Sequence, residues 1–157
     1  MKKILLICAS LAIVILVTPG CSKEKGCMDV AASNYDSDAE EDDGSCTYTA
    51  GIGGNVTIVA SPKHHGVEIG DSLYPDSAFV KFNTSDFPGT NPASFDLVIA
   101  GDPGEHHVHI EGLKRGKYYI YMTGWDPNAT PNRVTGGIPY TVSVTSGELD
   151  LDVPVVE

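Results

Sequence analysis

The sequence predicts an all-β sandwich of seven strands behind a short acidic segment, on three observations. Short alternating or β-branched runs recur at 55–60, 77–82, 95–100, 106–110, 117–123, 138–144 and 149–153. Each run is bounded by Gly, Pro, Asn or Asp, and no stretch of this region keeps a convincing helical period. Breaker clusters such as Phe87-Pro88-Gly89, Asp102-Pro103-Gly104 and Asp126-Pro127-Asn128 mark the turns, within a total of 17 glycines and 10 prolines. A length of 157 residues and 41% hydrophobic content suffice for one ordinary domain with its own core plus an appendage. The net charge of −11 argues against a nucleic-acid partner, because nothing here could neutralise a row of phosphates.

From the N-terminus, Lys2 and Lys3 precede an apolar run at 4–17, then Thr18-Pro19-Gly20 and Cys21. Fourteen helical residues reach about 21 Å, short of the roughly 30 Å hydrocarbon core, so the run reads as a signal peptide and not a permanent span. A cysteine directly after a small glycine resembles a bacterial lipoprotein lipobox, although Thr18 stands where that family prefers an aliphatic residue. The resemblance implies removal of 1–20 and diacylation of Cys21. Ser22 in place of Asp implies the outer membrane, on either its periplasmic or its cell-surface face. The plain alternative is a signal peptide followed by a coincidental cysteine.

On that reading Cys8 leaves with the signal peptide and Cys21 carries lipid. Cys27 and Cys46 remain as an even pair in an oxidising compartment and are expected to form a disulfide. Closing a loop of about twenty residues stabilises the segment by roughly 3 kcal/mol. The run from Gly26-Cys27 through Asp29, Ala32, Asn34-Tyr35-Asp36 and Ala39 to Asp42-Asp43-Gly44-Ser45-Cys46 is similar to a short repeat common in exported proteins of the Bacteroidota. The loop holds seven carboxylates and no base. Asp36, Asp38, Asp42 and Asp43 around a turn glycine suggest hard oxygen ligands for calcium, without the register or final glutamate of an EF-hand. The other reading, which the residues favour, is a solvated knot of Asx turns serving as a spacer over 21–48, with a link at 49–54.

Within the strand region, Val108-His109-Ile110-Glu111-Gly112-Leu113-Lys114-Arg115-Gly116-Lys117-Tyr118-Tyr119-Ile120-Tyr121 resembles a signature of transthyretin-like sandwiches, the carboxypeptidase regulatory-like and Cna-B-type domains. That family's architecture is close to the immunoglobulin-like one. The resemblance implies a sandwich over 55–157. Leu113 would plug one end, Gly116 would make the turn, and Tyr118, Ile120 and Met122 would point inward. It also implies that 140–144 and 149–153 form a closing hairpin. It says almost nothing about chemistry.

The five histidines fall into two clusters, His64-His65 and His106-His107-x-His109. If Val108 and Ile110 face the core, strand alternation puts His107 and His109 outward together, about 7 Å apart along the chain. Such a pair is a two-ligand start for zinc or copper. His64 or His65 would supply a third or fourth ligand if 62–66 folds over the same face, with Glu105 and Glu111 as further ligands or acceptors. His106 would point inward in a structural role. The alternative is a solvated, pH-sensitive surface patch. For catalysis no free cysteine, nucleophile elbow or paired-carboxylate spacing stands out, so an enzyme is not expected. Trp125, Tyr119 and Tyr121 suggest a sugar-binding surface or ordinary packing.

These observations describe a non-enzymatic outer-membrane lipoprotein that meets the membrane through its lipid and binds an unknown protein or carbohydrate partner through its sandwich. The alternative is a periplasmic or surface zinc- or copper-binding protein built on the histidines.

Overall fold

The computed structural model describes residues 22–71 and 73–157. The signal segment at 1–20 and the lipidation site Cys21 lie outside the described residues. The chain forms an all-β domain of two four-stranded sheets packed face to face, with a small disulfide-closed unit in front. Among the described residues no helix is long and apolar enough to cross a membrane.

The front unit pairs β1 (Lys25–Gly26) with β2 (Glu41–Asp42) in parallel. Cys27 and Cys46 form the expected disulfide, with 4.8 Å between their Cα atoms. Four of its carboxylates close their own turns by accepting the N–H two residues ahead: Asp29 from Ala31, Asp36 from Asp38, Asp42 from Gly44 and Asp43 from Ser45. The unit is docked against the sandwich. Arg115 donates to Asp29 at 2.6 Å and lies 3.7 Å over the ring of Tyr48, whose hydroxyl also donates to Asp29 at 2.8 Å.

The first sheet is centred on β3 (Ile52–His64), flanked on one side by β10 (Ser146–Val155) and on the other by β7 (Val108–Leu113) and β4 (Val67–Glu68). Strand β10 runs parallel to β3 over ten residues, from Ser146 opposite Asn55 to Val155 opposite His64. The second sheet is antiparallel throughout, in the order β6 (Leu97–Ala100), β5 (Ser77–Phe82), β8 (Gly116–Trp125), β9 (Arg133–Val142). Before β6 a single 3-10 turn at Pro92–Ser94 is capped by Asn91, whose side chain accepts from Ala93 N–H at 3.0 Å.

Alternation explains the core. Val56, Ile58, Ala60, Pro62 and His64 are the buried parity of β3. They face Val80, Tyr118, Ile120, Met122 and Val134 of the other sheet, all fully buried. Each completely buried aliphatic side chain contributes about 1.5–3 kcal/mol over its exposed state. The residues expected inward after the Gly-Leu turn are buried as read: Leu113, Tyr118, Ile120 and Met122 have no exposed surface. Tyr118 also ties the strand ends, its hydroxyl donating to Lys114 C=O at 2.7 Å and accepting from Gly51 N–H at 3.0 Å.

Three expectations change. Strand β3 begins at Ile52, inside the segment read as a link, where it pairs with Leu113 of β7, and continues through Pro62 to His64, because β10 supplies a partner from Asn55 to His64. Strand β9 begins at Arg133, five residues earlier than read, and runs through Gly136 and Gly137, which sit where neighbouring backbone leaves no room for a Cβ. The last two strands are not a hairpin. They lie in different sheets and meet at one bridge, where Thr135 and Val156 exchange N–H···O bonds of 2.8 and 2.9 Å.

Candidate functional site

Strand β7 starts at Val108, so His107 lies in the bend before it and His109 within it, opposite Val59 of β3. Val108 and Ile110 take the buried parity, which turns His109 outward as alternation requires. The turn that Asp102-Pro103-Gly104 initiates, with Glu105 N–H donating to Asp102 C=O at 3.1 Å, brings Glu105 back beside the histidines. The Nε2 atoms of His107 and His109 lie 3.1 Å apart, and Glu105 Oε2 lies 3.5 Å from His107 Nε2. One donor atom from each of the three falls within 4.8 Å of the others. They border a shallow cleft of about 160 Å³ between β7 and the end of β6.

A tetrahedral zinc with bonds of about 2.0–2.1 Å has ligand–ligand edges of roughly 3.3 Å. The observed spacings of 3.1 and 3.5 Å bracket that edge. Two of the trio's edges thus match the separation a borderline divalent cation needs, the third, from Glu105 to His109, falls within 4.8 Å, and Glu105 and His109 are exposed. Glu111, expected on the same face, is exposed in β7 but does not join the trio.

His64 and His65 do not join this cluster either, and the reason is parity. His64 ends β3 on the core-facing register that holds Val56, Ile58 and Ala60, whereas His109 pairs with Val59 on the outward register. The segment 62–66 is not a loop folded over the outer face. It is the end of β3 and a two-residue turn, His65-Gly66, into β4, with φ of 50° and 79° as a type I′ hairpin requires. Here His64, His65 and Glu157 form a second group with donor atoms within 4.8 Å of one another. His64 Nδ1 lies 2.7 Å from Asp126 Oδ2 and its Nε2 lies 3.4 Å from Glu157 Oε2. The Asp126 hydrogen bond raises the His64 pKa above the ordinary histidine value, and the same bond holds Asp126 below the usual carboxylate range.

His106, expected to point inward, is exposed; its ring lies against Gly70 and borders the cleft beside His64. Among the described residues Asp36, Asp38, Asp42 and Asp43 do not converge into a three-donor group. Trp125 stacks on Tyr74, with ring centroids 4.3 Å apart, and Phe87 covers Tyr119 and Tyr121 at 5.6 and 5.5 Å. These aromatic side chains pack largely on one another.

Two residues escaped the sequence reading. Asp126 carried only a turn signal, and Glu157 carried none, since its place depends on the parallel register of β10. No family model, no curated protein and no solved structure matches this chain.

Proposed function

We propose that this is an exported, lipid-anchored metal-binding protein that takes zinc or copper(II) at Glu105, His107 and His109. The observation that carries the reading is the 3.1 Å separation of the two outward Nε2 atoms, with a carboxylate oxygen 3.5 Å from one of them. Imidazole with carboxylate suits zinc and copper(II), and copper(II) binds more tightly at a given nitrogen and oxygen set. In its finer form, the proposal has 1–20 removed, Cys21 diacylated at the outer membrane, and 55–157 folded as a transthyretin-like sandwich. The burial of Leu113, Gly116, Tyr118, Ile120 and Met122 supports that last point. The role is binding and not catalysis.

The test is a zinc and a copper(II) titration of the purified mature protein, beside the variant His107→Ala/His109→Ala. The variant should lose one equivalent, and Glu105→Gln should weaken that same equivalent by about tenfold. A double variant that binds as many ions as tightly as the parent would refute the assignment.

A further inference from the structure

We propose that His64, His65 and Glu157 form a second and separate metal centre, a zinc site of three protein ligands with an open fourth position, with Asp126 as the residue that orients His64. The inference stands apart from the His107–His109 site, since the two groups occupy opposite registers of the same sheet.

The imidazole of His64 is only 4% exposed. With Asp126 Oδ2 at 2.7 Å from Nδ1, the carboxylate accepts the Nδ1 proton and so fixes the tautomer in which Nε2 carries a lone pair. That Nε2 is buried and has no hydrogen-bond partner among the described residues. It faces Glu157 Oε2 at 3.4 Å, an ion-pair distance and close to a zinc ligand edge of roughly 3.3 Å. A lone pair directed at a carboxylate oxygen is repulsive unless a metal cation or a proton stands between them. His65 completes the set. It is one of the few non-glycine residues with a left-handed backbone, and that turn holds its ring 4.1 Å from the His64 ring, centroid to centroid.

The ligands come from chain segments that need a tie. His64 ends β3, His65 opens the turn to β4, and Glu157 follows β10, whose Val155 is the register partner of His64. Val156 is pinned to Thr135 of the other sheet, which sets where Glu157 emerges. A cation here would join the β3–β4 hairpin, the end of β10 and, through Asp126, the turn after β8. The fourth coordination position opens to a cleft of about 360 Å³ that Glu68, His106 and Trp125 also line.

The alternative state of the same atoms is a protonated His64 lying between two carboxylates with no metal. Zinc titration and thermal melting of the His107→Ala/His109→Ala protein, which lacks the first site, separate the two. The proposal expects one equivalent of zinc still bound and a higher melting temperature with zinc than with chelator. It also expects Asp126→Asn and Glu157→Gln, each added to that background, to weaken zinc binding about 10- to 100-fold. Cobalt(II) should give tetrahedral absorption bands that Glu157→Gln alters. Absence of zinc binding in the double-alanine background overturns the second centre, as does binding insensitive to both Asp126→Asn and Glu157→Gln. In the parent background, loss of an equivalent with Glu157→Gln but not with His107→Ala/His109→Ala leaves this centre standing while the first reading fails.

Discussion

Asp76, the residue before β5, has only 1% of its surface exposed. Neither of its oxygens has a hydrogen-bond partner of good geometry among the described residues. Burial pushes its pKa up to about 6, partly opposed by the charge of His106 and the backbone of Trp125 and assisted by Glu68. Between about pH 4 and pH 6 the folded state thus holds a proton that the unfolded chain has already released. Stability is unaffected below about pH 4, declines from there to about pH 6, and is lowered above that by on the order of 2 kcal/mol after discounting for nearby solvent. Asp76→Asn should therefore raise urea-unfolding stability at about pH 8 by roughly 1–2 kcal/mol, with the gain vanishing near pH 4. At this scale the sequence was legible wherever alternation decided the matter, as with Ile120, Met122 and His109. It was silent on Asp76 and Asp126, whose environments are assembled from β4, β8 and the turns around them.

Strand β9 shows how a close approach of two elements depends on one residue. A Cβ at Gly136 would run into the Pro154 carbonyl where the two sheets meet. Gly136→Ala should push the end of β10 outward, break the Thr135–Val156 bridge and cost roughly 1–3 kcal/mol of stability by urea unfolding. Because Glu157 follows that bridge, zinc affinity at His64 should fall while the His107–His109 pair keeps its metal. Strand existence was legible for all seven runs, since each carries its own β-branched or alternating pattern. Strand length and partnership were not. Gly136-Gly137 reads locally as a turn and Pro62 reads locally as a stop, and only their partners, β8 opposite the glycines and β10 opposite Pro62, make both into strand interior.

For the whole molecule, the joint between the acidic unit and the sandwich is the Arg115 clamp. Asp29 is held below the usual carboxylate range, first by the Ala31 N–H, then by Tyr48 and Arg115. Arg115→Ala removes both the ion pair and the stacking on Tyr48, and should speed proteolytic cleavage within 49–54 by roughly three- to tenfold. Metal binding should not change, because both histidine groups are remote from the joint. The cysteine pairing and the acidity of 27–46 were legible in the sequence, but the docking was not: Arg115 is one basic residue in a turn, and nothing local says that it stacks on Tyr48.

The length of β3 has a further consequence. Thirteen extended residues span about 40 Å, with the clamp near Ile52 at one end and His64 at the other. If the lipidated form proposed above stands with the clamp end of the domain towards the bilayer, the strand would act as a stiff beam rising from it. Its far end is then several screening lengths from the headgroups, each about 8 Å at physiological ionic strength. Cations reaching His64 would be drawn from bulk solution and not from the layer that anionic lipids concentrate, so occupancy there should report the composition of the surrounding fluid whatever the membrane's charge.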